Sequence, residues 1–193
     1  MKSTAITDLD EIRRRAREHV TKGAVTEHYH ADRAKVLALL NEALATEVVC
    51  ILRYRRHYYM ASGLDSRSVA DEFLEHAEDE AKHADWLAER IVELDGEPNL
   101  DPAGIAGRSS TEYATGTDLV DMIKENLIAE RIVIDSYTEI IRFLGNDDPT
   151  SRRLMEKILA EEEEHAEDLA SLLPGARGKQ APESKKVPLG KTG

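Results

Sequence analysis

The sequence predicts an all-α chain, a four-helix bundle with one long crossover between helices two and three. Three observations predict it. Four stretches carry apolar residues at steps of three and four, the connections within each helix pair are short while the middle one is long, and one short polar pattern occurs once in each half of the chain. Apolar stripes of this kind are buried against one another, and short connections make consecutive helices antiparallel.

Residues 1–31 read as an N-terminal arm with a short amphipathic helix, about Asp8 to Thr21, that carries Arg13, Arg14, Arg15 and Arg17. The bundle is expected over 32–173. Helix one runs from about Asp32 to Ala61, ended by Ser62-Gly63, with the stripe Leu40, Leu44, Glu47, Ile51, Tyr54, Tyr58. Helix two starts near Ser66 and carries Val69, Phe73, His76, Glu80, His83, Leu87, Ile91, Leu94. It stops at Asp95-Gly96, where the glycine is expected in the left-handed cap. About twenty residues rich in Gly, Pro and Ser follow, to Gly116, with no sustained periodicity. Twenty extended residues reach roughly 65 Å and a helix of about 28 residues is about 42 Å long, so this segment can return along the whole bundle. Helix three spans about Asp118 to Leu144 with Val120, Ile123, Leu127, Glu130, Ile134, Tyr137, Ile141 and Leu144 inward. The turn Gly145-Asn146-Asp147-Asp148 leads to helix four, with Pro149 at its first position and Met155, Ile158, Glu162, His165, Leu169, Leu172 inward. Helix four is expected to stop at Pro174-Gly175, and 174–193 reads as a flexible basic tail.

Composition narrows the function classes. The chain has 193 residues, 41% hydrophobic, 5% aromatic and 33% charged, which suits one helical domain with solvated outer faces. No stretch approaches eighteen consecutive apolar residues, so no membrane span is expected, and a charged N-terminus without an apolar signal core places the protein in the cytoplasm. The single cysteine, Cys50, excludes an intrachain disulfide or a Cys-rich metal module and reads as a small core residue. Net charge is −12; residues 1–22 carry +2 and 174–193 carry +4, which leaves −18 on 23–173. Such a body repels nucleic acid and concentrates cations. The basic ends could still hold DNA phosphates, although Asp8, Asp10, Glu11 and Glu18 dilute the patch. His28 and His30, beside Glu27, are either solvated or a surface metal site.

The repeated pattern is Glu-x-x-His, as Glu80-Ala81-Lys82-His83 and Glu162-Glu163-Glu164-His165. Residues three apart share a helix face, so each pair aims a carboxylate and an imidazole at one point. A lone glutamate in an apolar stripe precedes each pair, Glu47 by 33 residues and Glu130 by 32, so the two halves superimpose. An unpaired buried carboxylate costs several kcal/mol, and such groups are protonated, paired or metal-bound. The residues alone leave two readings: a hydrogen-bonded acid–imidazole network that keeps some protons, or a cation site.

Over roughly 35–173 these motifs resemble the bacterioferritin branch of the ferritin-like superfamily. The resemblance rests on Leu40-Asn41-Glu42 followed by Glu47 and Tyr54, on Asp79-Glu80-Ala81-Lys82-His83-Ala84-Asp85, on Glu130, and on Glu162-Glu163-Glu164-His165. It implies a ferritin-like four-helix bundle around a di-iron carboxylate centre. Glu47 and Glu130 would be terminal ligands, Glu80 and Glu162 would bridge the metals, and His83 and His165 would complete one metal each. Tyr54 and Tyr137 would hydrogen-bond ligand carboxylates or serve as core aromatics. His76, one turn before Glu80, stands where other ferritins carry a histidine or is a structural core residue. Three departures refine this. Ala81 replaces the methionine that ligates haem in bacterioferritins, so no haem is expected there. The tail after helix four has no apolar periodicity, so no fifth helix is expected there, which favours a 12-subunit cage of the Dps-like kind over 24 subunits; the Dps-like subclass that combines such a cage with an intrabundle site usually has a cysteine pair, and this chain has only Cys50. Glu75 replaces an inner-surface histidine whose aspartate partner remains as Asp79.

The expected function is that of a ferroxidase: Fe(II) is oxidised by O2 or H2O2 at the paired site and stored in an oligomeric cage. The ligand set also suits Mn or Zn. The rivals are a peroxide-consuming di-iron or di-manganese enzyme resembling rubrerythrins or manganese catalases, a Dps-like DNA-binding stress protein, and a tail that docks a partner shell through Val187-Pro188-Leu189.

Overall fold

The computed structural model describes residues 8–173 other than 19, 21, 22, 24, 27 and 62–65. Glu27, the turn Ser62-Gly63, the stop at Pro174-Gly175 and the basic tail with Val187-Pro188-Leu189 lie outside the described residues. Among the described residues there are six helices and no strand: α1 (Leu9–Glu18), α2 (Arg33–Met60), α3 (Arg67–Glu93), α4 (Pro102–Arg108), α5 (Leu119–Leu144) and α6 (Pro149–Leu172). Predicted helices one to four are α2, α3, α5 and α6.

The helix starts follow from capping chemistry. The side chains of Asp32, Asp118 and Asp148 accept from the amides of Lys35, Asp121 and Ser151, which satisfies backbone donors that have no partner inside the helix. At the end of α3 the left-handed residue is Asp95, with φ 56°, and not Gly96 as the sequence suggested. The Gly96 amide bonds Ile91 O at 2.9 Å and the Asp95 amide bonds Val92 O at 2.9 Å, a Schellman closure shifted one residue toward the N-terminus. Gly96 is needed for space, because a Cβ there would lie 2.4 Å from Leu37 Cδ2.

α2 packs on α3, α5 on α6, α2 on α5 and α3 on α6, which arranges the four long helices in a ring. Leu40, Leu44, Phe73, Leu87, Ile91, Met155 and Ile158 fill its centre. The expected stripes hold along α3, where every named position is buried. On α5 Val120 is exposed, and on both α2 and α5 the inward face has rotated enough to half-expose Ile51, Tyr58, Leu127, Ile134 and Ile141. Buried Arg53, His57 and Asn126 take the remaining places.

The crossover is pinned along α2, and it contains α4, which its lack of periodicity had concealed. Asn41 Oδ1 accepts from the Asn99 amide at 2.7 Å, Thr46 Oγ1 from the Ser110 amide at 2.9 Å, and Arg53 donates to Glu112 O at 3.3 Å. His57 Nε2 lies 3.1 Å from Thr115 O. α1 has no buried residue, and its Arg13, Arg14 and Arg15 pair with Asp10, Glu11 and Glu18 of the same helix.

Candidate metal centre

Four helices contribute one or two polar groups each to one buried pocket. Glu47 comes from α2, Glu80 and His83 from α3, Glu130 from α5, and Glu162 and His165 from α6; all six are buried. Ligand atoms of Glu47, Glu80, His83 and Glu162 lie within 4.8 Å of one another, and so do those of Glu80, Glu130, Glu162 and His165. Glu80 and Glu162 belong to both sets. That is the arrangement two cations need if two carboxylates are to be shared between them and one glutamate and one imidazole are to serve each alone.

The imidazoles are oriented for this. His83 Nδ1 is 3.2 Å from Glu80 Oε2, 3.0 Å from Glu162 Oε1 and 3.7 Å from Glu47 Oε2. His165 Nδ1 is 3.3 Å from Glu162 Oε2 and 3.8 Å from Glu80 Oε1. Each ring turns its other nitrogen outward to a carboxylate: His83 Nε2 to Glu161 Oε2 at 2.9 Å, and His165 Nε2 to Asp79 Oδ2 at 3.6 Å. A carboxylate holding the Nε2 proton leaves the Nδ1 lone pair free for a metal. Asp79 and Glu161 were not read as part of the site. The signal was present, since each immediately precedes the shared glutamate of its own helix and so belongs to the same internal repeat.

The tyrosines pair across the bundle. Tyr54 of α2 donates to Glu130 of α5, and Tyr137 of α5 donates to Glu47 of α2. Each tyrosine lies seven residues, about two turns or 10 Å, beyond the glutamate of its own helix. α2 and α5 run antiparallel, so each tyrosine is level with the other helix's glutamate. His76 is buried, with Nδ1 3.1 Å from the Tyr54 hydroxyl and its ring stacked on His165 at 4.1 Å between centroids. Ala81 is half-buried beside Glu80, and Glu75 is exposed.

Electrostatics shows how the chain carries this charge without metal. Burial, then repulsion from Glu162 and Glu47, pushes Glu80 far above the carboxylate range; burial and Glu162 push Glu130 up to about 8. Burial acts on Glu162 in the same sense, but the hydrogen bond from His165 and the close His83 ring outweigh it and hold this carboxyl at about 2. For His83, burial opposes the charged form, yet Glu162 and Glu47 raise it to about 11; His165 is raised by Glu162 in the same way. For His76, burial and the neighbouring His165 lower the ring to about 3. Even so, one oxygen of each glutamate has no hydrogen-bond partner: Glu47 Oε2, Glu80 Oε1, Glu130 Oε2 and Glu162 Oε1. Glu162 Oε1 is close to His83 Nδ1, but at an angle that makes no hydrogen bond. Four bare oxygens facing two imidazoles fit divalent metal ions, whose hard carboxylate and borderline imidazole ligands these are.

Residues 37–177 match the ferritin-like domain family. The chain belongs to this family. Among its relatives, the bacterioferritin of Mycobacterium leprae is 33% identical over 139 residues, which is 72% of this chain and 83% of that one. The bacterioferritin of Desulfovibrio desulfuricans is 31% identical over 134 residues, 69% of this chain and 71% of that one. Among solved structures, a dodecameric thioferritin of Bacteroides fragilis, a bacterioferritin-related protein, superimposes with a TM-score of 0.69 at 37% identity, covering 72% of this chain and 84% of that one. The Dps of Thermosynechococcus elongatus shares the fold, with a TM-score of 0.71 at 23% identity over 77% of this chain and 96% of that one. This ferritin-like chain thus has, among the described residues, no helix long and apolar enough to cross a membrane and a polar pocket at the centre of its bundle.

Proposed function

We propose that this ferritin-like chain is a ferroxidase that binds two Fe(II) ions as substrate between its four long helices and passes the Fe(III) product to an oligomeric store. The observation that carries the reading is the pair of ligand sets that share Glu80 and Glu162. In this reading Glu47 and His83 hold one ion, Glu130 and His165 the other, and Glu80 and Glu162 bridge them; Mn or Zn would fit the same donors. Two adjacent Fe(II) ions supply two electrons to one oxidant, so O2 with two protons leaves as H2O2, or H2O2 with two protons leaves as two waters.

The chain's own residues hold the ions, set their spacing and tune the ligands. Tyr54 and Tyr137 fix one oxygen of Glu130 and of Glu47, so that the other faces inward. Glu161 hydrogen-bonds the outer nitrogen of His83, and Asp79 lies beside that of His165. Sequence similarity to a bacterioferritin described as having a diiron site supports the reading, and the 37% identical dodecamer supports a 12-subunit homo-oligomer.

The test mixes anaerobic protein with Fe(II) and either oxidant in a stopped-flow instrument. Glu80→Ala and Glu162→Ala are expected to slow the fast phase at least about 100-fold, as loss of a residue acting on the reacting centre does. An unchanged rate in both variants would end the ferroxidase reading. Fast peroxide turnover without mineral on iron loading would favour a peroxide-consuming enzyme built on the same six ligands.

A further inference from the structure

The acidic pocket has a buried positive neighbour. Arg53 of α2 is 0% exposed, and its Cζ lies 5.6 Å from the centre of the Tyr54 ring. Among the described residues its guanidinium donates from Nε to Asn126 Oδ1 at 3.0 Å, and from its terminal nitrogens to Glu112 O and to Cys50 Sγ, each at 3.3 Å. These acceptors are neutral, because burial pushes the Cys50 thiol up to about 12. An arginine keeps its charge at any pH of interest, so a full positive charge is buried with no carboxylate among these contacts.

The charge is aimed at one half of the pocket. Asn126 stands one turn before Glu130 on α5, and Tyr54, the residue after Arg53, donates to Glu130. Burial and Glu162 raise the Glu130 carboxyl, and His165 and Arg53 both act against them. Glu47 lies farther back on α2, six residues or about 9 Å along the axis.

The internal repeat gives this charge no counterpart. The step from Glu47 to Glu130 equals that from Tyr54 to Tyr137, and by the same step Arg53 corresponds to Ser136, Asn126 to Ala43 and Cys50 to Val133. Ser136 is half-buried, with its hydroxyl bonded to Val133 O at 3.0 Å. The six ligands are thus related by the repeat, while the charge beside them belongs to one half.

We propose that Arg53 sets the two ion positions apart: its fixed charge weakens the position between Glu130 and His165, so that the position between Glu47 and His83 fills first. Arg53 also repels the proton that Glu130 would otherwise keep, but a divalent ion brings twice that charge, so the balance opposes loading. Oxidation adds a further positive charge, so the half beside Arg53 is also where an Fe(III) product is held less tightly. That last use rests on the ferroxidase reading, whereas the order of filling needs only two cations in the pocket.

The test is anomalous diffraction at the cobalt edge from crystals of the full-length, metal-free protein given one Co(II) per chain. At that loading the two occupancies give the ratio of the two affinities, free of repulsion between ions. The proteins compared are the unmodified chain, Arg53→Met and Arg53→Lys, after circular dichroism verifies that each is folded. If Arg53→Met does not fold, Arg53→Gln, whose amide can still donate to Asn126, takes its place. In the unmodified protein the peak at Glu47 and His83 should exceed that at Glu130 and His165 by on the order of 10-fold, as a charge a few ångströms nearer to one ion than to the other would give. Arg53→Met should bring the ratio near one, and Arg53→Lys, which keeps the charge and changes the packing, should hold it well above one. Equal peaks in the unmodified protein, a ratio unchanged in Arg53→Met, or a lysine variant as even as the methionine variant would overturn the role of the charge. Those outcomes leave the ferroxidase reading standing, since it fails separately, on unchanged Fe(II) oxidation in the Glu80 and Glu162 variants; Co(II) in neither position of a folded protein would overturn both.

Discussion

At one end of the bundle Asp148, 1% exposed, accepts from the Ser151 amide at 2.9 Å, the Ser151 hydroxyl at 2.7 Å, Arg90 at 3.1 Å and the Tyr29 hydroxyl at 2.8 Å. In the middle of the bundle Glu47, Glu80, Glu130 and Glu162 are just as buried, yet each keeps an oxygen with no partner. Both clusters join α3 to α6. The Asp148 cluster is completed by the chain's own donors and joins an N-cap, an ion pair and the segment before α2. The glutamate pocket is completed only by protons or metal ions. A buried acid is therefore structural or functional according to whether the chain supplies its donors, and substitutions in the two clusters should behave differently.

The largest expected effect on stability belongs to the completed cluster. Asp148→Ala leaves the buried Arg90 with only the exposed Glu93 as an acid partner and removes the α6 cap, so it should cost about 3–5 kcal/mol, the usual loss when one partner of a buried pair is removed. Urea denaturation should give the same loss with and without metal. A loss below about 1 kcal/mol would show that this cluster is not self-sufficient.

In the pocket, Glu80→Gln should leave the metal-free protein at least as stable as the unmodified chain, because it removes a group that burial and two neighbouring carboxylates hold protonated. It should abolish the gain on metal addition, about 2.7 kcal/mol at a metal concentration 100 times Kd. Thermal melts with and without Co(II) check both halves, and a metal-free protein destabilised as strongly as by Asp148→Ala would erase the contrast. A smaller effect is expected one layer out. Glu161→Gln removes the carboxylate on His83 Nε2 and should weaken metal binding roughly 10–100-fold without removing a ligand. Calorimetric titration reads it, and unchanged affinity would mean that Glu161 does not orient the ring.

The smallest effect is on pH dependence. A carboxyl raised to about 8, as at Glu130, contributes stability that is complete below its ordinary range near 4.5 and is lost as pH rises through 8. His83, raised to about 11, works in the same direction at higher pH, and Glu162 at about 2 is ionised throughout this window. The melting temperature of the metal-free protein should therefore fall between pH 5 and about 8. Loading displaces these protons, so metal affinity should rise over the same range and the loaded protein should melt at a more nearly constant temperature. Parallel melting curves for the two forms would contradict the displacement of protons by metal.

Much of this was legible in the sequence because helices report their inward face at short range. Steps of three and four located α2, α3, α5 and α6, and Asp32, Asp118, Asp148 and Pro149 marked their starts. The six pocket residues stood out because acids and imidazoles interrupt an apolar stripe, twice, in one order. What was not legible depends on contacts across the bundle. The spacing of Tyr54 from Glu47 gives no hint that its partner is Glu130, since that follows from the antiparallel level of α5. Nothing in the sequence marks Arg53, Arg90, His57 and Asn126 as buried, because their partners come from elsewhere in the fold: Glu112 O and Thr115 O in the crossover, Asn126 of α5 for Arg53 and His57, and Asp148 and Ser151 at the start of α6 for Arg90. The left-handed turn falls on Asp95, while Gly96 lies against Leu37 of another helix, a contact that the local sequence does not show. α4, seven residues long, is too short for periodicity to reveal.

The central claim is that the four bare oxygens face two cations. A crystal of iron-loaded protein, measured on both sides of the iron edge, tests it most directly. Two anomalous peaks are expected in the pocket, each contacted by Glu80 and Glu162, one also by Glu47 and His83 and the other by Glu130 and His165. A folded, iron-soaked protein with no peak there, or with one ion that Glu80 and Glu162 do not share, would contradict it.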